Sequence, residues 1–108
     1  MSIGRGSMVI VVLHSPREKC WGRLDRISAA GVFLRGIDLT AFDDWVNALR
    51  SGETFFGVTD LFFPLWRVER IMHDERSGDV PSLVEKFEAS VGRSVREVFA
   101  SDSQSLAP

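Results

Sequence analysis

The chain has 108 residues, of which 44% are apolar and 26% charged, and its formal net charge is −2. That is the size and balance of one globular domain, and the overall charge excludes a uniformly basic polyanion binder while leaving room for a local basic patch. A lone cysteine, Cys20, excludes an intrachain disulfide and fits a reducing, cytoplasmic setting, and no stretch approaches the roughly 20 apolar residues that cross a bilayer.

Residues 1–7 are polar and Gly-rich and read as a mobile lead-in. Met8 to His14 is a continuous apolar run. It ends at Ser15-Pro16 without a small-residue cleavage site, so it reads as a strand buried on both faces and not as a signal peptide. Arg17 to Ile27 is a second strand, with Cys20, Gly22 and Leu24 on one face and Ile27 out of phase. That change of parity predicts a bulge or close backbone approach, placed at Gly22. Ser28 to Gly31 is a tight connection into a third strand, Val32 to Leu39.

The period then changes. Phe42, Trp45, Val46 and Leu49 recur at helical spacing over 40–50, with Thr40 as the expected N-cap, Asp43 and Asp44 in the first turn, and Arg50 in the last. Thr54 to Phe63 reads as a Phe-rich fourth strand, broken by Pro64, and Trp66 to His73 as a fifth. Asp74 to Asp79 reads as a polar linker. Ser82-Leu83-Val84-Glu85 and Ser94-Val95-Arg96-Glu97 both match the capping-box pattern. Leu83, Val84, Phe87 and Val91 form an apolar stripe on one helix, and Val95, Val98 and Phe99 line a shorter second one. Residues 101–108 read as a frayed tail.

This order of a strand, a bent strand, two more strands, a very short turn and a last strand resembles the Sm/LSm family. The matching stretches are VIVVLHSPREKCWGRLDRISAAGVFLRGIDL and FFGVTDLFFPLWRVERIMHDE, with Gly22 two residues before Leu24 as in that family's second strand. The resemblance covers residues 8 to 75. It implies a mainly β fold: a five-stranded, strongly bent Sm-like (SH3-like) barrel, with the 40–50 helix inserted between strands three and four and a helical extension over 76–100. Another SH3-like or OB-like barrel is the alternative. The family's Asp and Met-Asn pair are replaced by Ser28-Ala29-Ala30-Gly31-Val32, and its Arg-Gly signature by Pro64-Leu65-Trp66-Arg67. Those positions hold RNA bases in the family.

Nothing in the chain has the spacing of catalytic or metal chemistry. His14, His73 and Cys20 form no ligand pair, so neither metal nor cofactor is expected. Asp43 and Asp44 are adjacent on a helix and point about 100° apart, which suits the macrodipole and not acid–base work. No Ser lies in a nucleophile motif, and no Gly-rich segment follows a strand to cradle phosphate. A non-enzymatic role is expected.

Two binding readings follow. In the first, Arg26, Arg35, Trp66 and Arg67 form a contact surface for single-stranded RNA, since an aromatic beside arginines can stack a base and pair a phosphate. The plainer account makes the strand arginines solvated charges paired with Glu18, Asp25 and Glu69. In the second reading the chain is an interaction or scaffold module whose helices dock a protein partner. Either way, the consecutive pairs Phe55-Phe56 and Phe62-Phe63 put aromatics on both faces of one hairpin, which points to a subunit interface. The resemblance implies a cyclic homo-oligomer in which strand four of one copy pairs with strand five of the next.

Overall fold

The computed structural model describes the backbone of residues 2–53 and 57–105, and side chains as far as residue 100. Five strands form one antiparallel sheet: β1 (Met8–Leu13), β2 (Glu18–Ile27), β3 (Gly31–Asp38), β4 (Thr59–Pro64) and β5 (Val68–His73). Three helices accompany them: α1 (Phe42–Ser51), α2 (Leu83–Val91) and α3 (Val95–Ser105). The fold is therefore mainly β with helices added where the sequence places them.

The strand order is β4-β3-β2-β1-β5, so strands consecutive in the chain lie at opposite edges of the sheet. They are joined by a single 3₁₀ turn, Leu65–Arg67. Such a turn rises about 2 Å per residue, whereas a flat five-stranded sheet would hold its edges about 19 Å apart. The sheet must therefore curl until the two edges meet at this corner. Two backbone bonds fix the meeting point: Leu65 N donates to Ala30 O at 3.0 Å, and His14 N to Arg67 O at 2.9 Å. The curl does not close into a ladder. β4 pairs with β3 and β5 with β1, and the sheet is open between them.

Each face of the sheet has its own core. On the inner face Val9, Val11, Leu13, Cys20, Leu24, Val32, Leu34 and Phe63 pack together. On the other, Trp21 and Ile37 meet Phe42, Trp45 and Val46 of α1, Phe87 of α2 and Val95, Val98 and Phe99 of α3. β1 contributes to both layers, which is why it is apolar at every position. Trp21 is the hub of the outer layer. Its ring meets Phe42, Trp45 and Phe99 at centroid distances of 5.2, 6.0 and 5.6 Å, and Trp45 stacks on Phe87 at 4.9 Å.

Several expectations are corrected in detail. The β2 irregularity falls between Leu24 and Arg26, where Asp25 is the extra residue, and not at Gly22. Gly22 serves the close approach: it sits opposite Gly36, and a Cβ on it would lie 2.2 Å from Arg35 O. Thr40 does not cap α1. The Asp38 carboxylate accepts from Thr40 N at 2.8 Å and from its hydroxyl at 2.6 Å, so the chain makes a 3₁₀ turn over Leu39–Ala41 before α1 begins. Within α1, Phe42, Trp45 and Val46 are buried and Leu49 is half-buried. β4 begins at Thr59, and β5 begins at Val68 because the 3₁₀ turn takes Leu65–Arg67; Phe55 and Phe56 lie outside the described residues. α3 continues to Ser105, past the start of the expected tail.

Asp74, read as linker, joins the two layers. Its carboxylate accepts from Trp21 Nε1 at 3.0 Å and from Leu83 N and Val84 N, the first amides of α2, at 2.8 and 2.9 Å. Ser82 completes the cap through a reciprocal pair with Glu85, as the capping-box pattern predicts. Among the described residues no helix is long and apolar enough to cross a membrane.

Candidate functional site at the sheet corner

The corner where β4 meets β5 is held by Arg67. Its guanidinium donates from Nη2 to Pro16 O at 2.9 Å and to Glu18 Oε1 at 2.8 Å, and from Nε to His14 O at 3.3 Å. These bonds tie the 3₁₀ turn to the β1–β2 turn and engage Nε and Nη2 within the fold. Arg67 is thus a latch within the fold.

Trp66 beside it is free. It is 65% exposed, with its ring edge-on to His14 at 6.2 Å. It is not a core residue closing the sheet after Pro64. The bond from Leu65 N to Ala30 O brings the 3₁₀ turn beside the Ser28–Gly31 connection.

Arg35 departs most from its expected role. It is 1% exposed and sits opposite Asp60, four residues along β3 from Gly31, about 13 Å from the corner. Nη1 donates to Asp60 Oδ1 at 3.0 Å, while Nε and Nη2 have no partner among the described residues. It is withdrawn from the surface it was assigned to, because its strand parity turns it to the same side as Phe33 and Ile37. Arg26 is exposed and lies over the Phe33 ring at 4.5 Å. Of the four RNA candidates, then, Trp66 and Arg26 face solvent and Arg35 and Arg67 are committed internally. The three acids expected to pair with strand arginines do so: Glu18 with Arg67, Asp25 with Arg23 and Glu69 with Arg17.

The Phe pair divides as the period of two requires. Phe63 is buried in the inner core, and Phe62 is 46% exposed, its ring tilted against Phe33 at 4.8 Å between centroids. Ile27, Leu65 and Trp66 are likewise exposed large apolar residues. Ile27 and Leu65 were not singled out from the sequence. The bulge at Asp25 resets the parity of Ile27, which pairs with Val32 at the very end of β2 and is left half exposed there.

A groove borders the first half of β4, lined by Arg5, Arg26, Ile27, Phe33, Asp60 and Leu61 among others. The N-terminal lead forms one wall, because Gly6 N donates to Leu24 O and Leu24 N to Ser7 O, both at 2.8 Å.

Burial, reinforced by the charges of Asp38 and Glu18, pushes the Cys20 thiol up to about 12, so it stays protonated and unreactive. His14 is exposed and bonds Ser15 Oγ at 3.1 Å, while His73 is half-buried on β5. Among the described residues no group of three or more His, Cys, Asp or Glu side chains could hold a metal ion. No protein-family model matches the chain, and no curated protein or solved structure matches it, so its functional reading rests on its own geometry.

Proposed function

We propose that the chain is a non-enzymatic Sm-like module that assembles with copies of itself in a cyclic homo-oligomer. β4 of one copy pairs with β5 of the next. The observation that carries this is the open sheet: β4 and β5 are its two edges, each with one hydrogen-bonded neighbour. Unpaired edges invite pairing with another chain, and a head-to-tail contact of this kind closes into a ring when the rotation allows. Phe62 on β4 and Leu65 just after it supply exposed apolar surface at that edge. The helices cover the outer face and serve as the scaffold through which a protein partner docks.

Light scattering over a concentration series tests this. The expected mass is a fixed multiple of 12.1 kDa. A protein that stays monomeric at high micromolar concentration overturns the proposal.

Single-stranded RNA is the second reading, and the exposed Trp66 indole favours it. A ring would repeat that platform in every subunit, so weak stacking at each would sum through avidity. With Arg35 and Arg67 engaged inside the fold, Arg26 is the cation left to this reading. Salt-dependent quenching of the exposed indole by oligonucleotides measures it, and no quenching at low salt removes it.

A further inference from the structure

Resting on the single-stranded RNA reading, we propose that the phosphates of such a strand follow an arginine strip, Arg96, Arg23 and Arg26 with Arg5 beside it, and that a base stacks on Phe62 at the end of the strip.

Strand pairing places the strip. Phe33, Arg35 and Ile37 alternate along β3 and share one face, the face that Ile37 turns to the helices. Arg26 pairs with Phe33 and Arg23 with Arg35, so both lie on that face despite the bulge between them. Phe62 pairs with Phe33 from the other side. Arg26, Phe33 and Phe62 thus form one row across β2, β3 and β4. The Arg26 guanidinium lies 4.5 Å from the Phe33 centroid, and the two rings are 4.8 Å apart. Arg23 shares a cleft with Arg96 of α3, walled by Met8, Val95 and Phe99. Arg5 shares the neighbouring groove with Arg26 and Asp25. The bond from Arg23 Nε to Asp25 at 3.1 Å joins the cleft to the groove.

The chain carries a net charge of −2, yet this strip is positive. Arg5, Arg26 and Arg96 are exposed and have no acidic partner among the described residues. The acids around them are engaged: Asp25 with Arg23, Asp60 with Arg35, Glu97 with Arg93, and Glu88 with Val95 N. The corner offers the reverse, an exposed indole whose neighbouring arginines, Arg67 and Arg17, are bound to Glu18 and Glu69. Unpaired arginines also suit an acidic protein, and the aromatic row is what favours a nucleic acid. Each cation of the strip is an arginine, whose fork fits phosphate oxygens, and stacking on Phe33 orients the Arg26 fork while leaving its edge to donate. Phe62 is 46% exposed and gives an unpaired base a ring to stack on. A base already paired in a duplex has no free face to offer, so the strand is single.

The test is fluorescence anisotropy of dye-labelled oligouridine and oligoadenosine with the full chain over a series of salt concentrations. Phosphates seated on Arg5, Arg26 and Arg96 should give log K against log salt a slope of about −2, and R5A/R96A should reduce it to about −0.7. F62A should weaken binding about tenfold with the slope unchanged, the scale of one lost stack. Arg5 and Arg96 are exposed, so R5A/R96A keeps its fold. Thermal melting checks F62A, and F62L takes its place if F62A unfolds. Binding whose slope R5A/R96A leaves unchanged overturns this inference and leaves the RNA reading standing. An F62A affinity equal to the parent's, or displacement of the oligonucleotide by polyglutamate at equal charge concentration, assigns the strip to acidic proteins and also overturns it. A parent protein that binds neither oligonucleotide at low salt overturns both.

Discussion

The indole of Trp21 on β2 donates to the Asp74 carboxylate at 3.0 Å, across 53 residues of chain. The same carboxylate caps α2 through Leu83 N and Val84 N. One acid thereby satisfies the polar atom of the Trp21 indole at the centre of the outer core and orients the helix that covers it.

Removing that acid leaves the indole N–H and two helix amides without their acceptor. Asp74→Ala should cost about 2–4 kcal/mol, summing a lost cap and an unsatisfied buried donor. Asp74→Asn retains an acceptor oxygen and should cost less. Urea unfolding of both variants measures the difference, and equal losses would show that the one acceptor oxygen kept by Asn contributes nothing on its own.

Two tryptophans should behave in opposite ways. Trp45 is buried between Trp21 and Phe87, so Trp45→Ala should destabilise by about 3–5 kcal/mol. Trp66 is exposed, so Trp66→Ala should leave stability within about 0.5 kcal/mol of the parent. If RNA binds, the Trp66 change should weaken it by about 1–3 kcal/mol per stacked base with folding intact. Denaturant melts and a binding titration on the same preparations separate these effects.

Arg35 and Asp60 form an asymmetric pair, with one side chain buried and the other 75% exposed. Asp60→Ala strands a buried cation and should cost about 1–3 kcal/mol, less than for a fully buried pair because solvent screens the Asp60 side. Arg35→Met removes the charge and keeps much of the volume, so it should be neutral or stabilising. Finding Arg35→Met the more damaging of the two by urea unfolding would show that the guanidinium makes more than its bond to Asp60.

Cys20 gives a pH dependence. Its folded pKa of about 12 lies above the ordinary thiol value of about 8.5. The neutral thiol is favoured by the fold, so its contribution is fully present below pH 8.5 and is lost as pH rises towards 12. At pH 8 the native thiol should resist alkylation and react only on unfolding. Mass spectrometry of iodoacetamide-treated native and urea-unfolded protein checks this, and rapid native labelling would contradict the burial.

Most of the framework was legible because it rests on period and caps. Alternating and continuous apolar runs located the strands, and Ser82 with Glu85 located α2. The site was harder to read, because its residues owe their roles to cross-strand neighbours far apart in sequence. Arg35 looks like any strand arginine until β4 is laid beside it, and Arg67 becomes a latch only once the turn at Pro16 is brought next to it. The bulge was sensed from the parity of Ile27 yet assigned to Gly22, since a strand glycine signals a bend and a close approach equally. Asp74 was passed over because a carboxylate among polar residues gives no local sign of a distant indole.

The strand order also sets a sequence of events during synthesis. β2 can zip onto β1 and β3 as soon as each emerges, because those pairings are short hairpins. The far side of β1 waits for β5, with Leu13 pairing to Val68 only after the whole intervening chain exists. Until then β1, apolar on both faces, offers a bare ladder to any passing strand. A nascent chain stopped before residue 68 therefore leaves that edge of β1 unpaired, the kind of exposed apolar edge that favours aggregation.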